Sequence, residues 1–196
     1  MKLGIIIISI ILLTGFNKFL HTESNLKMNY SITKKSIEKK LYKWNSFIEE
    51  ASQKYKVDKK LIQSIIYVES SGNPNAKSSS NAIGLMQIKP SSAGLEVYRF
   101  YGKKNQPSIE ELYNPQNNIN IGTAYLNILQ KSLINIKNKD IMKYATIISY
   151  VNGKSAFLKI FAKNNKEAIA IINQMTLKSF FSYVKKNIQQ NKHFLI

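Results

Sequence analysis

The 196-residue chain contains no cysteine, only two histidines and a single arginine, Arg99. Without cysteine the protein has no disulfide bond, no thiolate metal ligand and no cysteine nucleophile. The histidines, His21 and His193, stand near opposite ends of the chain, which argues against a metal site built from imidazole groups. We therefore expect neither a metal ion nor a cofactor.

Acidic residues are also scarce. The chain has 11 of them and 29 basic residues, which gives a formal net charge of +18. The positive charge is almost all lysine and is spread over both halves of the chain rather than gathered in a stripe. Proteins that read nucleic-acid bases rely on the forked guanidinium group of arginine. The composition therefore indicates no nucleic-acid partner. The dispersed positive charge nevertheless produces an electrostatic field that favours anionic polymers and lipid head groups.

Four prolines, eight glycines and the lack of sustained period-two alternation argue against a β-rich scaffold. Apolar residues instead recur at helical spacing, and we expect an all-α or nearly all-α fold. The pattern predicts one helix over Ile37–Tyr55, a second that starts after an N-cap at Asp58, and a third that starts with Asp140 as its N-cap and stops at Gly153.

The N-terminus begins with Lys2 and then an apolar run from Leu3 to Phe16, the length of a signal peptide core rather than a full membrane span. We expect residues 1–20 to be a signal peptide or an uncleaved membrane anchor, 21–40 a polar spacer and 41–196 one folded domain. The "LLTGF" segment is similar to a bacterial lipobox in which Phe16 replaces the cysteine. A lipid therefore cannot be attached there.

Glu69 is the only acidic residue between Asp58 and Glu96, and it shares a helical face with Leu61 and Ile65. Burial and the negative end of the helix dipole both raise the pKa of a carboxyl group in that position. A glutamate with a pKa near neutrality can donate a proton and later accept one. The alternative interpretation is a solvated glutamate at a helix end.

Small polar residues follow Glu69, and they could orient an uncharged, acetamido-bearing polymer through hydrogen bonds. Those singled out are Ser78, Ser80, Asn81 and Gln87. Without a ligand, the same serines are typical of a flexible loop. Met86, Tyr125, Tyr150 and Tyr183 are equally compatible with an ordinary core.

Several motifs together resemble those of lytic transglycosylases of the soluble-transglycosylase family, in particular its endo-type, membrane-bound members. They are "ESSGNPNA" from Glu69, "AIGLMQIKP" from Ala82, "NINIGTAYL" from Asn118, "ISYVNG" from Ile148 and "SYVKK" from Ser182. The likeness covers about Lys43 to Asn187. Chance agreement of so many separate motifs is improbable, whereas each alone is a weak signal.

The resemblance implies a lysozyme-like fold over 41–196 and cleavage of the MurNAc-GlcNAc β-1,4 bond of peptidoglycan, with a 1,6-anhydro-MurNAc product. It makes Glu69 the catalytic acid and base and leaves the attacking hydroxyl to the sugar. It further implies a periplasmic, membrane-associated monomer, with the outer membrane in doubt because of Phe16. The substrate-binding residues it implies are Ser78, Ser80, Met86, Gln87, Tyr125, Tyr150, Asn152 and Tyr183.

Two departures from the family pattern lie near the presumed cleft. Val151 separates Tyr150 from Asn152, where many relatives have the asparagine directly after the tyrosine, and Lys154 replaces a small residue. Two alternatives therefore stay open beside the active transglycosylase. One is a lysozyme-type hydrolase that uses water, and the other is a non-catalytic peptidoglycan-binding protein.

Overall fold

The structure is a computed structural model and describes residues 37–190, with side chains up to 187. The signal peptide or anchor expected for residues 1–20, and the spacer as far as residue 36, lie outside the described residues. Residues 37–41 are helical and run into a 3₁₀ turn at Tyr42–Trp44. The helices that follow are α1 (Asn45–Tyr55), α2 (Lys59–Ser70), α3 (Leu95–Phe100), α4 (Ile109–Tyr113), α5 (Pro115–Ser132), α6 (Lys139–Asn152), α7 (Lys154–Lys159), α8 (Asn165–Asn173) and α9 (Leu177–Gln190).

The prediction of an all-α fold is confirmed for this part of the chain, in which isolated β-bridges at Ile83 are the only extended pairing. None of the helices within residues 37–190 is both long and apolar enough to cross a membrane. The described residues form two compact units, one up to Tyr125 and the other from Leu126, so that the boundary falls inside α5. The expectation of one folded domain over 41–196 stays a prediction.

The first unit is organised around α2, whose N-cap prediction is confirmed. The Asp58 side chain accepts a hydrogen bond from the backbone nitrogen of Leu61 at 2.9 Å, which satisfies one of the free amides of the first helical turn. Four apolar side chains of α2 are buried and pack in the core of this unit: Leu61, Ile62, Ile65 and Ile66. Their spacing of three and four residues makes a single buried face.

The second unit is built from α6 to α9 around a cluster of aromatic rings. Phe157 and Phe180 are fully buried, and the ring of Phe161 lies parallel to that of Phe180 with 6.0 Å between the centroids. The ring of Tyr183 also stacks on the ring of Phe161, with 4.9 Å between the centroids. Because Phe180 and Tyr183 belong to α9, these contacts hold α9 against the segment that follows α7 within this unit.

Two helix predictions need correction, and one further segment starts irregularly. The helix predicted over Ile37–Tyr55 is interrupted by the 3₁₀ turn at Tyr42–Trp44. Asp140 is not the N-cap of α6, because Asn138 takes that role by accepting bonds from the backbone nitrogens of Asp140 and Ile141 at 3.0 and 3.1 Å. The segment after Pro90 starts with one π-helical turn, Pro90–Gly94, before α3 begins.

Candidate active site

Glu69 lies in the last turn of α2, on the side of the helix that also carries the buried leucine and isoleucines. Its side chain is partly buried, and burial raises the pKa of its carboxyl group from the ordinary 4.5 to about 7. Desolvation is the only cause of this shift, and no acid or base within residues 37–190 contributes to it. The direction expected from the sequence is therefore correct. The result is a carboxyl group that is close to half protonated at neutral pH.

The end of α2 is attached to the following loop by the residue next to Glu69. The Ser70 hydroxyl group donates to the backbone oxygen of Leu85 at 2.8 Å and accepts from the backbone nitrogen of Gly72 at 3.2 Å. The indole nitrogen of Trp44 donates to the backbone oxygen of Gly72 at 3.0 Å. The chain that follows Glu69 is thus held in place by hydrogen bonds.

We call residues 76–88 the site loop. The loop is folded back on itself, because Ile83 and Ile88 exchange backbone hydrogen bonds of 3.0 and 2.9 Å and the nitrogen of Gly84 donates to the oxygen of Ala76 at 2.8 Å. Gly84 has a φ of +76°, a conformation that residues with a side chain adopt at a cost. This tight path brings Leu85 to the end of α2.

The two predicted serines are neighbours in the site loop. Their hydroxyl oxygens are 3.1 Å apart, and the oxygen of Ser78 also accepts from the backbone nitrogen of Ala82 at 3.0 Å. Ser78 is partly buried, whereas Ser80 is exposed. Besides this bond the Ser78 hydroxyl group has its own proton and a second lone pair, so it can exchange hydrogen bonds with Ser80 or with a bound ligand.

Gln87 and Met86 differ in what they can offer to a ligand. Gln87 is partly buried, and its side-chain nitrogen donates to the backbone oxygens of Ala76 and Gly84 at 3.1 and 3.0 Å. Met86, which we expected to line the cleft floor, exposes none of its surface. It packs against Gly122 instead. The prediction for Met86 is therefore corrected from substrate contact to support beneath the loop.

Asn118, at the start of α5, opens the "NINIGTAYL" motif and is not among the predicted site residues. It is fully buried, accepts from the backbone nitrogen of Met86 at 2.8 Å, and donates to the oxygens of Ile83 and Leu112 at 2.9 and 2.7 Å. The available signal was an asparagine that opens an apolar helical stripe. An amide in a core needs polar partners, because burying it without them is unfavourable.

Tyr125, the last residue of the first unit, is buried, with 6% of its surface exposed. Burial, with a smaller contribution from the charge of Glu96, raises the pKa of its hydroxyl group to about 12. The group therefore stays protonated throughout the physiological range and acts as a hydrogen-bond donor or acceptor rather than as a base.

The remaining predicted site residues belong to the second unit. Tyr150 and Asn152 are partly buried at the end of α6, and the Asn152 side-chain nitrogen donates to the backbone oxygen of Ile148 at 3.2 Å. The hydroxyl group of Tyr183 donates to the backbone oxygen of Ile160 at 3.1 Å. Lys154 opens α7 and is partly buried. That these side chains share a ligand with Glu69 stays a prediction.

Comparison with solved structures gives the fold first. The chain resembles an inactive mutant of the lytic transglycosylase Slt from Pseudomonas aeruginosa, with a TM-score of 0.51 and 20% identity over 73% of this chain and 22% of that one. It also resembles the 70 kDa soluble lytic transglycosylase of Escherichia coli, with a TM-score of 0.50 and 24% identity over 77% of this chain and 24% of that one. At these identities the likeness shows the fold alone, which is helical and lysozyme-like.

Sequence relatives then give the family. The family model described as the transglycosylase SLT domain matches residues 46–173. The chain is 64% identical over 194 residues to membrane-bound lytic murein transglycosylase E of Buchnera aphidicola subsp. Acyrthosiphon pisum, covering 99% of this chain and 88% of the relative. It is 48% identical over 150 residues to endo-type membrane-bound lytic murein transglycosylase A of an Enterobacter species, covering 76% and 74%. The chain belongs to the transglycosylase SLT domain family.

Proposed function

We propose that this protein is a lytic transglycosylase that cleaves the MurNAc-GlcNAc β-1,4 bond of peptidoglycan and leaves a 1,6-anhydro-MurNAc end. The observation that carries the proposal is the solitary carboxyl group of Glu69, whose pKa is raised to about 7 by burial alone. A retaining glycosidase holds two carboxyl groups about 5 Å apart, and a second charge at that distance would contribute to the pKa. Within residues 37–190 no second carboxylate contributes.

A single acid suffices when the substrate supplies the nucleophile. The protonated Glu69 donates its proton to the glycosidic oxygen, and the bond between that oxygen and the anomeric carbon breaks. The acetamido oxygen of the sugar stabilises the positive charge that develops. The carboxylate of Glu69 then removes the proton from the C6 hydroxyl group, whose oxygen bonds to the anomeric carbon. Glu69 ends in the protonated form in which it began, and no water is consumed.

The neighbouring polar groups suit an uncharged sugar. The hydroxyl groups of Ser78 and Ser80 lie within hydrogen-bonding distance of each other on the site loop, and they can bind an acetamido or hydroxyl group. We assign Gln87, Tyr125, Tyr150, Asn152 and Tyr183 to substrate binding on the family analogy. The position of Gln87 on the site loop supports its assignment in particular.

We further propose that the protein acts as a monomer in the periplasm, associated with a membrane through residues 1–20. The relatives named above are called membrane-bound, and Phe16 replaces the cysteine that would carry a lipid. Endo-type cleavage is supported by the name of the Enterobacter relative. We propose no nucleic-acid partner, because the charge is supplied by dispersed lysines.

Mass spectrometry of digested peptidoglycan sacculi tests the reaction. The wild-type protein should release muropeptides with anhydro ends, and Glu69→Gln should release none, because an amide can neither donate the proton nor accept it. Glu110→Gln is the matched control, since Glu110 is an exposed glutamate of α4. Unchanged release by Glu69→Gln would reject the role of Glu69.

The same digest separates the alternatives. Ends heavier by one water would indicate a lysozyme-type hydrolase. Binding to sacculi with no release by the wild-type protein would indicate a non-catalytic binder, and Lys154→Ala then tests whether this cation is the cause. The length distribution of the glycan strands distinguishes endo from exo cleavage, because endo cleavage shortens long strands before small products accumulate.

A further inference from the structure

The buried amide of Asn118 joins three segments of the first unit. Its oxygen accepts the nitrogen of Met86 at 2.8 Å, while its nitrogen donates to the oxygen of Ile83 at 2.9 Å and to that of Leu112 at 2.7 Å. Ile83 and Met86 belong to the site loop, and Leu112 belongs to α4. Every hydrogen bond here crosses between segments, so the side chain fixes the distance between the loop and its support.

The loop that Asn118 holds is the loop that binds the end of α2. Leu85 lies between the two loop residues bound by Asn118, and its backbone oxygen accepts the Ser70 hydroxyl at 2.8 Å. Ser70 directly follows Glu69. A continuous path of backbone and hydrogen bonds therefore leads from the Asn118 amide to the residue next to the acid.

We propose that Asn118 is a positioning residue for Glu69, which holds the site loop against the end of α2 and so keeps the carboxyl group away from water. This inference rests on the proposed function for its consequence in catalysis, but its structural part does not. Asn118 itself exposes none of its surface, so it does not touch a substrate.

Gly84 of the site loop packs tightly against Asn118 and Leu112. A Cβ added at Gly84 would lie 2.3 Å from the side-chain nitrogen of Asn118 and 2.6 Å from the backbone oxygen of Leu112. Gly84→Ala therefore pushes the loop away from Asn118 without changing that residue. Gly102 provides a matched control, because its φ of +78° is similar but an added Cβ there meets nothing within 4 Å.

The test measures the pKa of Glu69 directly by carbon NMR of full-length protein labelled at glutamate, with the signal identified by its loss in Glu69→Gln. Burial is the only cause of the raised pKa, and no charged group within residues 37–190 adds to it. Access of water should therefore lower the pKa in Asn118→Ala and in Gly84→Ala by about one unit or more. It should not change in Asn117→Ala, an exposed neighbour, or in Gly102→Ala.

Activity supplies the second measurement. At pH 8, a pKa lowered by about one unit reduces the protonated fraction of Glu69, and with it kcat, about tenfold. KM should change as well in Gly84→Ala, because the site loop that this substitution displaces also carries Ser78, Ser80 and Gln87. The pKa measured by NMR is therefore the deciding readout. If the wild-type protein shows no activity, the proposed function fails, but the NMR titration still decides the role of Asn118.

A titration of the wild-type protein does not require the Asn118 and Gly84 variants to fold. Titration of Glu69 should shift the side-chain amide signal of Asn118 and the backbone amide signal of Met86 with the same midpoint, and both shifts should vanish in Glu69→Gln. The proposal would be overturned if folded Asn118→Ala and Gly84→Ala variants kept an unchanged pKa of Glu69. It would also be overturned if the two amide signals of the wild-type protein did not shift as Glu69 titrates.

Discussion

Glu69→Gln should stabilise the protein at alkaline pH and leave its stability unchanged at low pH. Burial raises the pKa of Glu69 from 4.5 to about 7 in the folded state. Between these two values the folded protein keeps a proton that the unfolded chain releases, so stability falls as the pH rises through this window. Glutamine has nearly the same shape and carries no charge at any pH. The variant therefore lacks this loss of stability.

The structure sets the size of the effect. A shift from 4.5 to about 7 corresponds to about 3 kcal/mol of unfavourable free energy for the ionised form. The difference in unfolding free energy between variant and wild type should be near zero below pH 4.5, rise through the window, and level off at about 3 kcal/mol above pH 7 to 8. Such a value is a large part of the 5–15 kcal/mol that typically stabilises a whole domain.

Urea unfolding followed by tryptophan fluorescence is a suitable assay. The chain has a single tryptophan, Trp44, and its indole nitrogen binds the backbone oxygen of Gly72, close to the end of α2. The signal therefore reports on the unit that contains Glu69. Glu110→Gln, at an exposed position, should change stability by less than about 0.5 kcal/mol at every pH. A difference for Glu69→Gln that does not depend on pH would refute the assigned burial.

Three further outcomes are expected. Because Glu69 must be protonated to start the proposed reaction, kcat/KM should fall about tenfold for each pH unit above about 7, which a pH profile on sacculi checks; a flat profile up to pH 9 would contradict this. Gly122→Ala should destabilise the protein by about 1–3 kcal/mol in urea unfolding, because the new Cβ would lie 2.4 Å from the sulfur of Met86. Equal stability of variant and wild type would show that Met86 moves aside freely. Asn138→Ala should lower thermal stability by about 1 kcal/mol, because Asn138 accepts the two hydrogen bonds from backbone nitrogens at the start of α6. Asp140→Ala should lower it by less, and the reverse order would identify Asp140 as the cap.

The sequence allowed a good prediction of features that depend on near neighbours in the chain. The N-cap at Asp58, the buried face of α2 and the raised pKa of Glu69 all follow from spacing within a dozen residues. The N-cap of α6 was placed two residues late, because asparagine and aspartate both favour that position and both are present. Local rules alone do not choose between them.

Features that depend on distant partners were not predictable in the same way. Asn118 bonds to Met86 and Ile83, which lie 32 and 35 residues away in the sequence, and no spacing rule connects such positions. The resemblance predicts Met86 as a substrate contact, whereas in the structure Met86 is buried and fills the space that Gly122 leaves. Packing decides both cases, and it becomes visible only when the loop and α5 are placed side by side.

A dehydrated acid is tolerated here because the helix that carries it has a surplus of apolar burial. Fully burying a leucine or isoleucine contributes about 1.5–3 kcal/mol, and α2 buries Leu61, Ile62, Ile65 and Ile66. These four together outweigh the cost of about 3 kcal/mol that Glu69 imposes when it is ionised. The apolar face therefore serves the site as well as the core, since a helix anchored less firmly would rotate or fray and let water reach the carboxyl group.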